Sequence, residues 1–342
     1  MTDRDALALA RHARVQAAMA RRGVGAVLLA TPHLAAFASG ARRVQVAGSG
    51  GALPSVVIVA GAPSAVVFTA DPDGAPSWMP RAAVEPLVWD RERALCRLAG
   101  LVGPAPGTVA CDVFSPALRE AIGRPLVDAR PLLAEAAAPR TADEIAAVQS
   151  ALRAARSALR AACRAAASVP ALVAGFAAGM RRAGAGFPLG EGLVWRTGPR
   201  FVRLPATAAL AAGEVVALEL GLYLGGHAGV AGDTVVVGGG NLAAPRRAWF
   251  AALCAVAKRC RAGATAADLR AAAISAGARQ EGLLAHGLGV GIEPPFVDLA
   301  GEDAEPLRPG TVLVLAPVVD RFRATRALIV TAGSPRWLEG AP

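Results

Sequence analysis

The sequence predicts two domains, an α/β domain in the first half and an α+β domain in the second. The 342 residues are enough for two domains of about 150 residues each, and a hydrophobic fraction of 54% is enough for a core in each. Short β-branched runs alternate with helical segments in the first half, whereas helices flank strands in the second. The stretch AAAPRT at 136–141 separates the halves, so we expect domains at 1–138 and 139–342.

The first half contains the elements of an alternating α/β unit. Residues 3–22 place apolar side chains at helical spacing, and Gly23 follows as a stop signal. Ser115 and Pro116 predict the cap and the first turn of a short helix that ends at Ile122. Short apolar runs predict buried strands at 25–30, 55–60, 64–70 and 108–112.

The second half begins with a long helix. Residues 141–144 have the capping-box pattern, and apolar residues three and four apart continue to about Ala167. This pattern buries one face and leaves a row of arginines in solvent, namely Arg153, Arg156 and Arg160. The remaining runs predict strands at 215–224, 233–238, 311–319 and 326–331, and helices at 246–261 and 265–276.

The positive charge of the chain does not indicate a nucleic-acid partner. Thirty-six basic and 26 acidic residues give a net charge of +10, but Lys258 is the only lysine and the arginines are dispersed. Abundant arginine together with Ala and Gly indicates a bias in codon usage rather than a binding surface. An aromatic content of 4% also leaves few side chains on which bases could stack.

The sequence predicts neither a membrane association nor a disulfide framework. No uninterrupted apolar run reaches about 18 residues. The N-terminal segment mixes acidic and basic residues where a secretory signal would be basic and then apolar. Five separated cysteines without a C-x-x-C pair predict reduced thiols. We therefore expect a cytoplasmic protein.

Two polar residues in apolar or glycine-rich surroundings are candidates for catalysis. Glu219 lies within the predicted strand VVALELGLYL, where a carboxylate is costly unless it is hydrogen bonded or faces a cavity. His286 begins the glycine-rich stretch HGLGVG, and an imidazole suits proton transfer near neutral pH. A structural histidine in the core is the alternative for His286.

Three further residues of the second half have open interpretations. His227, in the stretch GGHAGVAGD, is either a surface-loop residue or part of a site. Tyr223 is the only tyrosine, and it either packs in the core or contacts a substrate. Asp233 either caps a strand or forms an ion pair with Arg203 or Arg200.

Four motifs of the second half resemble those of the metallopeptidase-like pita-bread superfamily, which contains methionine aminopeptidase, aminopeptidase P, prolidase and creatinase. In chain order they are ADEIAAVQSALRAARSAL at 142–159, CRAGATAADL at 260–269, HGLGVGIEPP at 286–295 and LRPGTVLVLAP at 307–317. The first half is similar to the N-terminal domain of the creatinase and prolidase branch. The resemblance implies a creatinase-like α/β domain at 1–138, an α+β pita-bread domain at 139–342, and a homodimer.

The resemblance also implies an altered metal site. Metalloenzymes of this superfamily hold two divalent ions with two Asp, one His and two Glu side chains. The corresponding positions here are Glu219, Val230, His286, Ala316 and Thr325. Too few ligands are left for two ions, so we expect no metal cofactor.

Creatinase uses the same cavity without metal and also has Glu in place of the first Asp, so the resemblance implies a metal-independent enzyme. His286 would act as acid or base and Glu219 would orient it. The segment FVRLPATAAL at 201–210 lacks the histidine that creatinase uses, and its Arg203 favours an anion-binding pocket. Contacts to a small polar or short peptide substrate are expected from Arg203, His227, Asp233, Tyr223 and Thr325.

The reaction remains open among hydrolysis, elimination and isomerisation. One alternative function is a non-catalytic pita-bread protein that binds a peptide or a protein partner. Another is an Xaa-Pro peptidase, which the missing ligands disfavour.

Overall fold

The chain folds into two units, Met1–Ala138 and Pro139–Pro342. The computed structural model describes residues 3–41, 53–103, 105–137, 140–164, 167–190, 192–279, 281–298 and 306–340. None of the helices in these ranges has the length and apolar character of a membrane-spanning segment.

A six-stranded mixed sheet forms the centre of the first unit. Its strands are β1 (Val24–Leu29), β2 (Val56–Val59), β3 (Val66–Thr69), β4 (Val84–Pro86), β5 (Thr108–Cys111) and β6 (Leu126–Asp128). They follow the order β4-β3-β2-β1-β5-β6, and β1 pairs in parallel with β5 and antiparallel with β2. The strands predicted at 25–30, 55–60, 64–70 and 108–112 are therefore present.

Five α-helices accompany this sheet in the described part of the first unit. They are α1 (Asp3–Arg22), α2 (Pro32–Ser39), α3 (Arg91–Val102), α4 (Pro116–Ile122) and α5 (Arg130–Ala137). The hydroxyl of Ser115 caps α4 by accepting the backbone N–H of Leu118 at 3.1 Å, as the sequence predicted. Leu98 of α3 shares a core with strand residues such as Leu28 and Phe68.

Among its described residues, the second unit has four α-helices: α6 (Ala142–Arg164), α7 (Val169–Arg182), α8 (Ala243–Ala257) and α9 (Ala266–Ser275). The predicted capping box opens α6, since the Thr141 N–H donates to Glu144 Oε2 at 2.9 Å and the Glu144 N–H donates to Thr141 Oγ1 at 3.2 Å. The end of the helix predicted to reach Ala167 lies partly outside the described residues. Helix α7 was not predicted.

The described strands of the second unit form three sheets. The strands are β7 (Phe187–Pro188), β8 (Leu193–Arg196), β9 (Val202–Arg203), β10 (Val215–Leu224), β11 (His227–Val236), β12 (Leu283–Leu288), β13 (Ile292–Asp298), β14 (Val312–Leu315), β15 (Val318–Val319), β16 (Phe322–Arg323), β17 (Arg326–Ile329) and β18 (Arg336–Trp337). One sheet has the order β11-β10-β8-β9 with β7 on β10, another has the order β13-β12-β14-β17-β18, and β15 pairs with β16. The single strand predicted at 311–319 is divided into β14 and β15 at Ala316 and Pro317, because proline has no N–H to donate to a ladder.

Strand β10 places Glu219 on the face opposite its row of buried apolar side chains. Val216, Leu218, Leu220 and Leu222 are buried in a core that includes Leu159 of α6. Side chains alternate along a strand, so Glu219 lies on the opposite face. The backbone of β11 approaches α6 closely at Gly229, where a Cβ atom would lie 2.1 Å from the carbonyl oxygen of Ala151.

Arg156 does not belong to a solvated row. Its Nη1 donates to the carbonyl of Gly232 at 3.1 Å, its Nη2 donates to the carbonyl of Thr325 at 2.8 Å, and it pairs with Glu339 at 2.9 Å. Arg153 and Arg160 are exposed as predicted. The helical pattern placed Arg156 beside the apolar face of the helix. It could not predict the hydrogen-bond acceptors of Arg156, which lie far from it along the chain.

We expect Gly229→Ala to destabilise the second unit, because the new methyl group would overlap the α6 backbone. Overpacking of this kind costs about 1–3 kcal/mol or more, and urea denaturation would measure the loss. Gly333→Ala is the matched control, since a Cβ there meets nothing within 4 Å. Equal stability of the two variants would contradict the packing described.

Candidate functional site

A buried ion pair joins β10 to β16. Nη2 of Arg323 donates to Oε2 of Glu219 at 2.7 Å, and Nε donates to the same oxygen at 3.2 Å. The Arg323 side chain is 10% exposed and that of Glu219 is 14% exposed. Glu219 was predicted from the sequence as a site residue, whereas Arg323 was not. The available signal was an arginine within the otherwise mainly apolar run FRATRALIV.

The surroundings of Arg323 fix its side chain. Its Cζ lies 5.3 Å from the centroid of the Trp195 ring, which is a cation–π distance. Its backbone is held by Thr234, whose hydroxyl donates to the Arg323 carbonyl at 2.7 Å and accepts the Arg323 N–H at 2.9 Å. A Cβ atom at Gly282 would lie 3.3 Å from Nη1, so the glycine leaves room for the guanidinium.

His286 lies on β12 and is 3% exposed. Its Nδ1 lies 2.9 Å from the carbonyl oxygen of Gly287, and Nδ1 must be the donor because a carbonyl only accepts. Its Nε2 is buried and has no hydrogen-bond partner among the described residues. In the neutral imidazole with this tautomer, Nε2 has a lone pair available to a ligand.

The three charged or titratable groups influence one another. Burial lowers the pKa of His286, and this effect exceeds the opposing effects of the Gly287 carbonyl and the Glu219 charge. Burial would raise the pKa of Glu219, but the charge and hydrogen bonds of Arg323, helped by His286, lower it. At neutral pH, Glu219 is therefore ionised and His286 is neutral. We call Glu219, Arg323, Trp195 and His286 the Glu219–Arg323 site.

Glu219 acts on His286 through space. The hydrogen bonds of its carboxylate go to Arg323, whereas the imidazole is oriented by Gly287. Glu219 and His286, which were expected to form a catalytic pair, are thus close enough for electrostatic interaction. The group that orients His286 is the Gly287 carbonyl and not, as expected, Glu219.

The positions that the resemblance assigns to metal ligands do not fit a dinuclear centre. Val230 and Ala316 are buried apolar residues. The Thr325 hydroxyl accepts the Gly232 N–H at 2.7 Å, so it links β11 to the segment between β16 and β17. Within the described ranges, no group of three or more His, Cys, Asp or Glu side chains could hold a metal ion.

Two of the other predicted site residues share a sheet face with Glu219. The strand register pairs Glu219 with Leu193 of β8, and it pairs Trp195 of β8 with Arg203 of β9. Leu193 and Trp195 are two residues apart, so Glu219, Trp195 and Arg203 lie on one face. Arg203 is exposed. Tyr223 is four residues from Glu219 on β10, half-buried, and burial raises its pKa.

His227 and Asp233 lie elsewhere. His227 is 4% exposed at the start of β11, so the surface-loop interpretation is wrong because the loop tightens into a strand. Asp233 pairs with Leu218 in the register and therefore lies on the opposite face from Glu219. Its carboxylate interacts with Arg246 at 3.3 Å, whereas the sequence analysis had named Arg203 or Arg200 as its partner in an ion pair.

A second buried ion pair was missed by the sequence analysis. Arg140 and Glu293 form a contact in which their side chains are 2% and 9% exposed. The guanidinium of Arg140 lies against Gly289, in the turn between β12 and β13. This pair therefore supports the β12–β13 hairpin, in which His286 lies. The signal was a carboxylate inside the motif HGLGVGIEPP.

A groove of about 1040 Å³ borders Thr234 but is lined by none of the four residues of the Glu219–Arg323 site. Its lining includes Cys163, Arg164, Arg246 and the glycine stretch 238–240. Burial, with smaller effects from nearby charges, raises the pKa of Cys163 to about 11, so this thiol is not a nucleophile at neutral pH.

Comparisons with known proteins support the fold. The sequence profile of metallopeptidase family M24 matches residues 143–332. The dipeptidase PepE from Mycobacterium ulcerans is 18% identical with a TM-score of 0.74, and the match covers 100% of this chain and 97% of that one. The Xaa-Pro dipeptidase from Bacillus anthracis is 19% identical with a TM-score of 0.72, covering 98% of each chain.

A prolidase from Pyrococcus horikoshii OT3 is 16% identical with a TM-score of 0.71, covering 97% of this chain and 98% of that one. No curated protein matched the sequence. The profile match and the similar structures confirm the fold class and the family resemblance predicted from the four motifs.

We expect Arg323→Met to lower the free energy of unfolding by about 3–5 kcal/mol, because it leaves the Glu219 carboxylate buried without its partner. The double variant Glu219→Leu/Arg323→Met removes both charges and should recover most of that loss. Arg196→Met is the control, since its pair with Glu214 is 52% exposed on the arginine side and is worth at most about 1 kcal/mol. In urea denaturation, an Arg323→Met loss no larger than the control would refute a buried ion pair.

The lowered pKa of His286 predicts a pH-dependent stability. Below the ordinary histidine pKa of about 6.5, the unfolded chain binds a proton more readily than the fold does, so folding is disfavoured as the pH falls. His286→Gln removes this effect. The stability advantage of the wild type over the variant should shrink between pH 7 and pH 5, by at most about 1.4 kcal/mol per pH unit. Parallel urea titrations would measure it, and a constant or growing advantage would contradict the neutral imidazole.

Proposed function

This chain belongs to metallopeptidase family M24, and we propose that within this family it is a metal-independent enzyme acting on a small polar substrate. The family is one of hydrolases, which supports an enzymatic role. The similar solved structures are named as dipeptidases and prolidases, which supports a substrate of small size.

The observation that carries the proposal is the buried Nε2 of His286, with a lone pair and no partner among the described residues, beside the Glu219–Arg323 pair. Nε2 takes a proton from a water or from an acidic position of the substrate, and the bond to that proton breaks as the new N–H bond forms. The same proton is then delivered to the leaving or rearranging group. General acid–base transfer of this kind accelerates reactions by about 10²- to 10⁴-fold.

Glu219 and Arg323 each stabilise one of the two charges that this proton transfer creates. The negative charge of Glu219 stabilises the imidazolium while the proton resides on Nε2. The Arg323 guanidinium stabilises negative charge that develops on a substrate oxygen. Hydrolysis, elimination and isomerisation all use these two roles.

Metal independence is supported by the ligand positions. Only Glu219 and His286 of the five have side chains that ligate divalent ions, and Glu219 is already bound to a permanent cation. A water activated between two ions would need the carboxylates that Val230, Ala316 and Thr325 have replaced.

A second candidate is a non-catalytic protein that binds a peptide or protein partner. The observation that favours it is the hydrogen bonding of Glu219 Oε2 to Arg323, which ties the carboxylate of the site to an internal cation. An enzyme would convert a substrate and would need His286 to do so, whereas a binding protein would show no turnover.

We expect the purified protein to contain well under one transition-metal ion per chain after dialysis, and to leave Xaa-Pro dipeptides uncleaved with added Mn²⁺ or Co²⁺. Turnover found in a screen of small amides, esters and hydroxy or amino acids should survive a chelator. His286→Ala should abolish that turnover, and Glu219→Gln should weaken it by roughly 10²- to 10⁴-fold.

Circular dichroism would verify that both variants fold. Stoichiometric metal, or Xaa-Pro cleavage stimulated by metal, would overturn the proposal in favour of a peptidase. A wide screen without turnover, combined with capture of a peptide ligand, would favour the binding protein.

A further inference from the structure

We propose that the groove bordered by Thr234 is a docking site for an extended acidic segment of a partner protein. We call it the β11 groove. It lies within the second unit and is lined by none of the residues of the Glu219–Arg323 site, so the inference goes beyond the proposed function and does not rest on it. It rests on the position of the groove at a sheet edge, on a backbone donor there, and on the apolar and charged residues of the lining.

The β11 groove follows the open edge of a sheet. Strand β11 comes first in the order β11-β10-β8-β9, so β10 covers only one of its two edges. Residues 234–237, at the end of β11, line the groove. Val235 packs against the core that includes α6, whereas Val236 packs against the core that includes Leu242 at the start of α8. The groove therefore lies at the strand edge between the end of α6 and the start of α8.

A backbone donor at this edge has no acceptor among the described residues. Val237 bonds toward β10, because its N–H donates to the Glu214 carbonyl at 2.8 Å and its carbonyl accepts the Gly213 N–H at 2.8 Å. Backbone groups alternate along a strand, so those of Val236 point away from β10. Its carbonyl accepts the Gly239 N–H at 3.0 Å, whereas its N–H donates to no described residue. An added strand would supply that acceptor.

Earlier positions on the same edge of β11 are already bonded. The Gly232 N–H donates to Thr325 Oγ1 at 2.7 Å, and the Gly232 carbonyl accepts the Thr325 N–H at 3.2 Å. The Ala228 N–H donates to the Gly289 carbonyl at 2.7 Å. Val236, which is half-buried, is therefore the position at which a segment from outside can pair with the edge.

The lining suits a peptide with apolar side chains. Leu210, Val237 and Leu242 line the groove, and β-branched side chains of an added strand would bury their methyl groups against them. The glycines at 238–240 have no side chains that could cover the Val236 N–H. The volume of about 1040 Å³ is at the upper end of the range for small-molecule pockets, about 300–1,000 Å³. This size favours a peptide over a small anion.

The charge of the groove favours an acidic segment. Arg164 and Arg246 are its charged lining residues, and none of the described residues that line it is acidic. Arg164 is exposed and forms no ion pair with a described residue. Arg246 interacts with the neighbouring Asp233 at 3.3 Å but remains 52% exposed, so this pair is weak. Two positive charges and one negative charge leave a net attraction for anions.

The two arginines also predict a spacing. Arg164 ends α6 and Arg246 lies in the first turns of α8, so they belong to the two different walls of the groove. Side chains of an added strand point alternately to the two faces of the sheet. Two adjacent acidic residues would therefore reach one arginine each.

The experiment uses the acetylated and amidated peptide Val-Thr-Asp-Glu-Thr-Val, titrated into ¹⁵N-labelled protein. We expect saturable NMR shifts at residues 234–240. At saturation, hydrogen exchange of the Val236 amide should slow at least about tenfold, because it gains an acceptor. The Val237 amide, already bonded to Glu214, is the internal control. The neutral analogue Val-Thr-Asn-Gln-Thr-Val should bind at least about threefold more weakly, because it lacks both ion pairs.

Matched variants locate the binding. Ala243→Glu puts a negative charge into the lining at the start of α8, where a helix tolerates a carboxylate, and should weaken binding of the acidic peptide at least about threefold. Ala248→Glu, exposed on the same helix but outside the lining, should leave it unchanged. Arg164→Gln should weaken binding about threefold, whereas Arg153→Gln, exposed elsewhere on α6, should not.

Absence of a saturable shift, equal affinity for the two peptides, or unchanged exchange at Val236 would each overturn the inference. Equal effects of Ala243→Glu and Ala248→Glu would also overturn it. Citrate that displaces the peptide and binds at least as tightly would make the groove a site for small anions, against the inference. His286→Ala should bind the peptide as the wild type does, so a failure of docking and a failure of the proposed catalysis are separate results.

Discussion

The pairing of Glu219 with Arg323 is the interaction on which the second unit's polar centre depends. A buried carboxylate on the middle strand β10 is tolerated only with a compensating charge and hydrogen bonds. Arg323 supplies both from β16, at 2.7 Å. Thr234 holds the backbone of Arg323 and Trp195 holds its guanidinium, so strands from two sheets are organised around one charge pair.

The same pair has a secondary influence on His286. Burial is the main cause that lowers the pKa of His286, the Gly287 carbonyl and the Glu219 charge oppose it, and the Arg323 charge adds to it. The Gly287 carbonyl selects the tautomer with the proton on Nδ1. The Arg140 contact with Glu293 supports the hairpin behind His286. A neutral ring with a buried lone pair on Nε2 thus follows from burial and from these neighbours, and Nε2 has no hydrogen-bond partner among the described residues.

The positions without carboxylates have acquired structural roles. Thr325 accepts the Gly232 N–H and offers its own carbonyl to Arg156, which also binds the Gly232 carbonyl and Glu339. Val230 and Ala316 are buried among apolar residues. The region that would hold metal ligands is therefore packed and hydrogen bonded like a core. What remains for chemistry is one histidine and one compensated carboxylate.

The sequence alone determined the fold class, several of the apolar strands such as β1 and β10, the caps of α4 and α6, and the two polar residues Glu219 and His286, because periodicity and local hydrogen bonds act within a few residues. It did not determine their partners. Arg323 lies 104 residues from Glu219 along the chain, and the Arg156 acceptors and the Arg140 partner are likewise remote. Asp233 does not belong to the site, because side chains alternate along β11 and that of Asp233 lies on the face opposite Glu219. Which charged residues lie close together is decided by the strand register and by how the separate sheets pack. A local sequence pattern specifies neither of these.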